Sequence, residues 1–374
     1  MKFIVSSLEL SSHLQAIGKV ITTKSPFPIL DCFLFDLQGT TLNITASDLE
    51  VTITTSIEVE VSEKGEKVAL PSKMLLEALK KFPEQPLTFE ISEESLAVEI
   101  ISDRGNFKLV AQPGEDYPTF PELEDDKSNK IQIPASILLT GINKTLFATA
   151  EDDLRPVMTG ILIELKNDSL TFVASDSHKL VRYRRNDVKN EVEASFILAK
   201  KPSNMLKSIL PKEVGDCVVE FDHKNAFFHL PNYKIICRLV EGNYPAYAAV
   251  IPQDSPYKAV IDRVDFSNTI GLVSVFANQS SNLLKLVLSE NKMEVSAQDL
   301  DFSHFGQQEL NCQYEGEEME IGFKSNFLAD IIDNLSSTDV VLEMSNPSRA
   351  ALFFPFEKNE TEDELMLLMP MMIN

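Results

Sequence analysis

The chain contains, at residues 171–180, the stretch Thr171-Phe172-Val173-Ala174-Ser175-Asp176-Ser177-His178-Lys179-Leu180. The triplet at positions 174–176 has a counterpart 128 residues earlier, Ala46-Ser47-Asp48, and another 123 residues later, Ala297-Gln298-Asp299. The full length of 374 residues is close to three such intervals. Self-similarity at a fixed period is typical of tandem repeats, so we predict three copies of one domain.

Apolar residues alternate with polar or small residues just before each triplet. A period of two places every second side chain on the same face of a β-strand, so each segment is predicted to be a half-buried strand. The residues predicted to share the buried face are Leu42, Ile44 and Ala46; Leu170, Phe172 and Ala174; and Met293, Val295 and Ala297.

Each repeat also carries two amphipathic patterns with helical spacing. The first helix is predicted to follow Ser11-Ser12, with one of these serines as its N-cap. Its counterparts are predicted at about 134–148, opened by Pro134, and at about 265–277. The second helices are predicted at about 72–82, 203–210 and 325–335. We therefore predict an α+β fold of three tandem two-helix, antiparallel-sheet domains, at 1–122, 128–252 and 258–374.

The chain ends with an acidic, polar segment followed by an apolar segment rich in methionine. The run Glu357 to Glu364 is acidic and polar, with Lys358 as its only base, and is predicted to be a solvated loop. The segment Leu365 to Ile373 contains four methionines and a proline. We predict an edge strand up to Leu368, followed by an adaptable apolar surface that suits the binding of several peptides.

Composition indicates an ordinary globular protein with 44% hydrophobic and 24% charged residues. The N-terminus runs directly into a strand pattern, and no apolar run approaches the ~18 residues of a membrane span, so we expect neither a signal peptide nor a membrane location. The scattered cysteines, without a CxxC motif, are interpreted as structural thiols of a cytoplasmic protein: Cys32, Cys217, Cys237 and Cys312.

The formal net charge of −23 argues, taken alone, against binding to nucleic acid, because phosphate contacts dominate that affinity. A locally basic channel within an acidic surface would still bind a duplex. Many lysines lie on or beside the predicted helices, and together they suggest a shared positive surface: Lys19, Lys24, Lys73, Lys80, Lys81, Lys144, Lys200, Lys201, Lys207 and Lys324.

No set of residues in the sequence indicates catalysis. The five histidines form no HExxH motif, and there is no glycine-rich phosphate loop. Asp176 and His178 could form a base and its orienting partner, but Asp48 and Asp299 take the place of Asp176 where no histidine follows at that spacing. We interpret the three aspartates as turn residues, and predict no catalytic residue, metal or cofactor.

Short motifs along the whole chain resemble those of a known family, the bacterial sliding clamps, which are the beta subunits of DNA polymerase III. The residues that carry the resemblance are Pro28-Ile29-Leu30, Ser47-Asp48-Leu49-Glu50, Arg155 with Gly160, Ser175 to Leu180, Tyr244-Pro245-Ala246-Tyr247, Val250-Ile251-Pro252 and Met369-Pro370-Met371. Each motif is weak by itself, whereas the complete set in this order is highly specific.

The resemblance implies a head-to-tail homodimeric ring of six similar domains, with helices lining the hole. The predicted helix count agrees with this expectation. Twelve helices at ~9 Å spacing give a circumference of ~110 Å and a hole of roughly 25 Å, about the width of a duplex, whereas six would enclose almost nothing. The implied function is a clamp on double-stranded DNA that tethers the replicative polymerase, the clamp loader and repair polymerases through short motifs.

The resemblance also implies which residues bind partner peptides: Met158, Ser175, His178, Lys179, Leu180, Pro245, Val250, Leu367, Met369, Pro370 and Met371. Departures from the family pattern are Ser177 for a glycine, Lys179 and Ala249 for arginines, and Met372-Ile373-Asn374 for a basic residue and leucine. The residues predicted to face DNA are Lys24, Lys80, Lys144, Lys200 and Lys201. At the dimer interface we expect Leu109 on one side, with Val275 and Phe276 on the other.

Two other classes of function compete with the clamp. A triplicated peptide-binding scaffold without a DNA role would fit the acidic pI near 4.6. An enzyme would have to use Asp176 and His178. Circular DNA separates the clamp from the scaffold, whereas the enzyme requires a nucleophile or metal that the sequence does not reveal.

Overall fold

The computed structural model describes residues 1–21, 27–63, 65–123, 128–152 and 154–373. Lys24 and part of the acidic linker Glu122 to Asp126 lie outside these residues. Within the described ranges the α-helices are α1 Ser7–Ile17, α2 Ser72–Leu79, α3 Ala135–Thr145, α4 Lys200–Ile209, α5 Arg263–Ser274 and α6 Ser325–Asn334.

The strands are numbered in chain order. The first repeat contains β1 Lys2–Ser6, β2 Cys32–Gln38, β3 Thr41–Ser47, β4 Val51–Glu58, β5 Glu60–Glu63, β6 Val68–Pro71, β7 Pro86–Ile91, β8 Ala97–Ser102, β9 Gly105–Val110 and β10 Gln112–Pro113. The middle repeat contains β11 Asn129–Pro134, β12 Gly160–Lys166, β13 Ser169–Ser175, β14 Lys179–Arg185, β15 Ala194–Ala199, β16 Asp216–Phe221, β17 Asn225–His229 and β18 Tyr233–Arg238. The last repeat contains β19 Tyr257–Asp262, β20 Leu283–Ser289, β21 Lys292–Asp299, β22 His304–Tyr314, β23 Met319–Lys324, β24 Asp339–Met344, β25 Ala351–Pro355 and β26 Glu362–Leu368.

Residues 1–139 and 201–239 form one compact unit. Its described strands make a five-stranded sheet in the order β5-β1-β7-β8-β9 and a nine-stranded sheet in the order β10-β6-β2-β3-β4-β18-β17-β16-β11. The antiparallel pairing of β4 with β18 joins the first repeat to the middle repeat within this second sheet. Helices α1 and α2 pack against each other.

Residues 140–200 and 240–374 form the other compact unit. Its described strands make a twelve-stranded sheet in the order β15-β12-β13-β14-β26-β25-β24-β19-β22-β21-β20-β23. The antiparallel pair of β14 and β26 joins the middle repeat to the last repeat, from Lys179 opposite Leu368 to Arg185 opposite Glu362. Helices α5 and α6 pack together, and both contribute buried residues to a large core cluster of this unit.

The predicted alternation before each triplet is confirmed, because all nine apolar residues named for β3, β13 and β21 are buried. The expectation of a half-buried strand is wrong for β13, where every residue is buried. Ala174 belongs to the large cluster beneath the helices, whereas Val173 belongs to a second cluster on the opposite face of the sheet. The second face of β13 is therefore covered as well.

The start of the first helix differs from the prediction. The N-cap is Ser6, whose hydroxyl accepts a hydrogen bond from the Glu9 amide, and Ser11 is buried inside α1. The helix begins earlier because β1 ends directly at a serine that satisfies an unpaired amide of the first turn. Pro134 precedes α3 as expected. Gly141 of that helix lies on the ring of Phe172, and an added Cβ at this position would clash with the ring.

The three repeated aspartates close equivalent turns through their side chains. Asp48 Oδ1 accepts hydrogen bonds from the amides of residues 50 and 51, and Asp176 Oδ1 accepts them from residues 178 and 179. Asp299 Oδ1 accepts them from residues 301 and 302. The structural interpretation of these residues is thus confirmed, since each carboxylate replaces backbone partners that the turn lacks.

The acidic run near the C-terminus is only partly a loop. Strand β26 begins at Glu362, so the prediction of a solvated loop is wrong for residues 362–364. Glu364 is buried because it forms an ion pair with Lys144, and a sequence pattern cannot reveal so distant a partner. The strand prediction for the following residues holds up to Leu368.

All four cysteines are buried as free thiols. Burial raises the pKa of the Cys217 and Cys237 thiols to about 12 and that of Cys312 to about 11. They are therefore protonated at neutral pH and act as small apolar core residues. Within the described residues, no helix is both long enough and apolar enough to cross a membrane.

We expect Asp299→Ala to lower the free energy of unfolding by about 1–3 kcal/mol, because two amides lose their acceptor. Asp299→Asn is the matched control, since its amide oxygen can accept both bonds. Urea titrations of the three proteins measure the difference. An alanine variant as stable as the wild type would show that the turn does not depend on this side chain.

Candidate functional site

A row of side chains crosses four strands at the junction of the middle and last repeats. Ser175 of β13 lies opposite Leu180 of β14, which lies opposite Leu367 of β26, which in turn lies opposite Leu352 of β25. Three of these predicted site residues, Ser175, Leu180 and Leu367, are thereby brought side by side, although they come from two different repeats.

The leucines of this row belong to a cluster on the outer face of the sheet, which we call the row cluster. Its buried members are Leu162, Val173, Leu180, Ile197, Ala350, Leu352, Leu365 and Leu367. Partly buried residues that pack against it include Tyr244, Tyr247 and Ile251. The segment that contains Pro245 and Val250 therefore runs over the row cluster, while both of these residues are exposed. Val250 is 58% exposed and presents an apolar surface beside the cluster.

The turn after β13 positions the next group of predicted residues. Ser175 Oγ donates to the Lys179 carbonyl at 2.8 Å and accepts from the Ser177 amide at 3.2 Å. Ser177 has a φ of 76°, and Leu49 has a φ of 77° at the equivalent place in the first repeat. The turn thus keeps a left-handed residue even where the family has glycine, at a cost of about 1–2 kcal/mol for a non-glycine residue.

Lys179 is buried, and its ammonium group has several partners. Its Nζ lies 2.7 Å from Asp330 Oδ2 and 3.5 Å from Asp176 Oδ2. It also lies 4.7 Å from the ring centroid of Phe327, within range of a cation–π interaction. The ring of His178 stacks on Phe327 with centroids 5.5 Å apart. Phe327 is therefore a platform for both residues of the middle repeat.

These residues line a pocket of about 670 Å³, which is also lined by Met158 and Arg155. The hypothesis of an enzyme finds no support here. Both oxygens of Asp176 are used, one by two backbone amides and the other near Lys179, and the His178 ring packs on Phe327. Sequence reasoning missed Phe327 as a site residue, because its helical spacing indicated the core face of a helix.

The C-terminal segment continues from the row. The Met369 amide donates to the His178 carbonyl at 2.8 Å, and the Met371 amide donates to the Gly322 carbonyl at 2.8 Å. An added Cβ at Gly322 would meet the Met371 carbonyl oxygen at 2.8 Å, so the tail lies close against β23. Met369 is 43% exposed, and Pro370 is half-buried. Met371 lines a different pocket together with Leu300 and Phe305, and it does not line the pocket of Met158 and His178.

The lysines predicted to face DNA do not form one uniform set. Lys80 is exposed at the end of α2. Lys200 and Lys201 form ion pairs with Glu151 and Asp48, respectively. Lys144 is the least exposed of the four described lysines: its Nζ lies 2.9 Å from Glu364 Oε2 and 2.9 Å from Ser336 Oγ, with 14% of its side chain exposed. This ammonium group is therefore committed to a partly buried ion pair.

Basic residues are distributed unevenly among the described helices. Helix α4 contains three lysines, whereas α6 contains Asp330 and Asp333 and no basic residue. Helix α5 has a single basic residue, Arg263, and an acidic first turn. Among the described helices, positive charge is thus concentrated on α4 of the middle repeat.

The residues predicted for the dimer interface lie at sheet edges. Leu109 is in β9, the edge strand of the five-stranded sheet, between exposed Phe107 and Val110. In the last repeat, residues 304–311 of β22 pair with β21, whereas only residues 312–314 pair with β19. Within the described chain, the first part of β22 therefore has one free edge.

Val275 and Phe276 lie beside that edge. Val275 is 74% exposed, and Phe276 packs on Gly306 of β22. Phe305 of the same strand is 59% exposed. Exposed apolar side chains next to an unpaired strand edge are typical of a surface that pairs with another chain.

Comparisons with known proteins identify the family of the chain. Family models of the DNA polymerase III beta subunit match residues 1–121 as its N-terminal domain, 132–246 as its central domain and 248–372 as its C-terminal domain. A beta sliding clamp from Synechocystis is 26% identical, covering 95% of this chain and 96% of the relative, and one from Chlamydia pneumoniae is 26% identical over the whole of both chains.

Solved structures show the same fold. A sliding clamp from Bartonella birtlesii bound to griselimycin is 26% identical and covers all of both chains with a TM-score of 0.91. One from Pseudomonas aeruginosa, also bound to griselimycin, covers all of both chains with a TM-score of 0.94 at 23% identity. The chain therefore has three tandem clamp domains. It belongs to the family of DNA polymerase III beta subunits.

We expect Lys144→Met to lower the free energy of unfolding by roughly 3–5 kcal/mol, because it leaves the buried Glu364 carboxylate without its partner. Burial already raises the pKa of Glu364 above 4.5, and Lys144 acts in the opposite direction. Because this folded-state pKa is raised, protonated Glu364 favours folding below pH 4.5, and that contribution is lost as the pH rises. The destabilisation should therefore shrink when the pH is lowered towards 4.5.

The control is the double variant Lys144→Met/Glu364→Leu, which removes both charges and should be close to neutral in stability. Urea unfolding at pH 7 and pH 5 measures both effects. If Lys144→Met is as stable as the wild type at pH 7, the ion pair does not hold the buried carboxylate.

Proposed function

We propose that the chain is a DNA sliding clamp that encircles duplex DNA and tethers the replicative polymerase, the clamp loader and repair polymerases. The observation that carries this proposal is that three clamp-domain models in tandem account for almost the whole chain. The proposed protein is a cytoplasmic processivity factor rather than an enzyme. We retain 1–122, 128–252 and 258–374 as its proposed domain boundaries.

A peptide-binding role for the row cluster is supported by its apolar surface and by the polar groups around it. Leu180 and Leu367 form a floor, with exposed Val250 and Met369 nearby. Burying an apolar anchor of a partner is worth about 1.5–3 kcal/mol per side chain. Such a small site gives about micromolar affinity, which suits partners that exchange with one another.

A head-to-tail homodimer is supported by the two free edges. Strand β9 offers apolar Leu109 and Val110, and the first part of β22 offers Phe305 beside Phe276. Pairing β9 of one copy with β22 of another satisfies the backbone groups of both edges. Two different edges make a head-to-tail contact, which closes a ring when the rotation permits.

DNA contact is proposed for Lys80, Lys200 and Lys201, together with Lys24, which lies outside the described residues. Lys200 and Lys201 already have carboxylate partners, so their attraction to phosphate is reduced. Together with a net charge of −23, this favours weak direct binding and retention by topology. A surface that touches only the backbone reads no sequence.

We expect the protein, loaded on nicked circular DNA by a clamp loader, to remain bound in high salt and to be released when the circle is cut. Direct binding to linear duplex should be weak and should fall steeply with salt. Gel filtration of the loaded DNA before and after linearisation measures retention and release, and the same column run with unloaded linear duplex measures direct binding. Equal retention on linear and circular DNA would contradict the ring, and peptide binding without retention on circles would favour the scaffold.

Val110→Asp tests ring closure in the same assay, because it places a charge on the proposed interface edge and should abolish retention on circles. Val214→Asp is its matched control, as Val214 is 89% exposed and lies outside the strands. Light scattering of the two variants reports the dimer directly.

We expect removal of Met369 to Asn374 to abolish binding of a synthetic polymerase-derived clamp-binding peptide. The truncation removes one wall of the proposed site but leaves β26 intact. Met369→Ala should weaken binding, whereas Met74→Ala should not, although Met74 is exposed to a similar extent. Calorimetry measures the affinities, and circular dichroism checks the fold. Unchanged affinity after the truncation would place the peptide site elsewhere.

A further inference from the structure

Four described ion pairs join the middle repeat to the last repeat, and they all have the same polarity. Each cation comes from the middle repeat and each anion from the last repeat: Lys144 with Glu364 at 2.9 Å, Lys179 with Asp330 at 2.7 Å, Arg182 with Asp363 at 2.6 Å, and Arg185 with Glu362 at 2.6 Å. We call this set the charge seam. Three of its anions are consecutive residues at the start of β26.

The other junction between repeats is built differently. Where β4 meets β18, the pairs run from Thr55 opposite Tyr233 to Val51 opposite Cys237. None of the five registered pairs joins opposite charges, and Lys234 lies opposite Thr54. The first and middle repeats do share one ion pair, between Lys201 of α4 and Asp48 of the turn after β3, but it lies outside these paired strands. Charge pairing is therefore not a general requirement for pairing strands of different repeats, and its use along β14 and β26 calls for a specific reason.

The seam lies directly beside the row cluster. In the register of β14 and β26, Lys179 lies opposite Leu368, Leu180 lies opposite Leu367, and Arg182 lies opposite Leu365. The ion pairs of Arg182 and Arg185 thus hold the same two strands whose apolar residues form the floor. The Met369–His178 backbone hydrogen bond continues this pairing towards the tail. If β26 shifts on β14, Leu367 and Met369 move away from Leu180.

The charges also select the partner strand. Strand β14 carries Lys179, Arg182, Arg184 and Arg185, so two copies of β14 repel each other. A strand that begins with three carboxylates is its complement. This matters in a chain of similar repeats, because an exposed edge can pair with the wrong strand or with another copy.

We propose that the charge seam positions β26 against β14 and thereby sets the affinity of the row cluster for partner peptides. Arg182, Arg185, Glu362 and Asp363 are positioning residues in this sense, acting through Leu180, Leu367 and Met369 without touching the peptide. This inference rests on the proposed peptide-binding function and adds to it residues that control the same site.

The test is a charge swap at the Arg182–Asp363 pair, which is partly exposed, with 19% and 39% of the side chains accessible. Arg182→Glu and Asp363→Arg should each weaken binding of the polymerase-derived peptide about two- to fivefold, as a partly exposed ion pair permits. The double variant restores opposite charges in reversed order and should bind within about twofold of the wild type. The affinities are measured where circular dichroism shows every variant to be fully folded, so that a loss of binding there does not come from overall unfolding.

The matched control is the Lys292–Glu309 pair, which joins β21 and β22 within the last repeat at 2.9 Å. Lys292→Glu should leave the peptide affinity unchanged. The proposal is overturned if single reversals at the seam bind as the wild type does, or if the double variant is no better than the single variants.

Hydrogen exchange separates failure of the seam from failure of the proposed function. The amides of β14 and β26 should exchange faster in Arg182→Glu and Asp363→Arg and return to wild-type rates in the double variant. If the wild type binds no peptide but exchange follows this pattern, the proposed function is wrong and the seam still positions the strand. Unchanged exchange in all variants would overturn the seam itself.

Discussion

The antiparallel pairing of β14 with β26 is the contact on which the candidate site depends. It makes one continuous sheet from strands that lie almost two hundred residues apart, and it brings Leu180 against Leu367. Neither strand alone provides a binding surface. On the outer face of β13, Val173 packs within the row cluster, against which Tyr244 and Tyr247 lie, so the residues of this strand are buried on both sides of the sheet. The site is thus a property of the junction between repeats rather than of one repeat.

A repeated framework carries this specialised junction. The aspartate turn is present in all three repeats with the same pair of hydrogen bonds, and it fixes the backbone that follows each strand. Only in the middle repeat does that turn present His178 and Lys179, and only there does Phe327 of the last repeat lie beneath them. Repetition supplies a stable scaffold, and a few residues unique to one copy supply the chemistry. Tyr117 belongs to a cluster formed within the first repeat, whereas Tyr244 packs against the row cluster, which includes residues of the middle and last repeats.

Charge has different roles in different parts of the chain. The surface is strongly acidic in total, yet several of its cations are bound to carboxylates of the same chain. A lysine such as Lys144 is needed for the stability of a buried carboxylate, and its charge is then largely unavailable to an external phosphate. The basic helix α4 of the middle repeat and the acidic helix α6 of the last repeat show that similar repeats have diverged in charge while keeping their fold.

The sequence alone determined the features that depend on local patterns. The triplication follows from the recurrence of one triplet at intervals of 128 and 123 residues. The buried faces of β3, β13 and β21, the aspartate turns and most helix positions follow from periods of two or 3.6 residues and from hydrogen bonds within four residues. The resemblance to sliding clamps, carried by short motifs in order, gave the family. These features could be predicted because neighbouring residues in the sequence are also neighbours in the structure.

Tertiary structure alone decided which distant residues meet. Lys144 and Glu364 are 220 positions apart, and no periodicity marks them as partners, so one was interpreted as a DNA contact and the other as part of a loop. Phe327, which lies under the His178 ring, could likewise not be told from an ordinary core residue of α6 by its sequence spacing. The start of α1 at Ser7 was decided by the end of β1, which placed Ser6 at the cap before either predicted serine. In each case the deciding energy comes from a contact or a chain path that the local pattern does not contain, because packing and ion pairing act between residues that folding alone brings together.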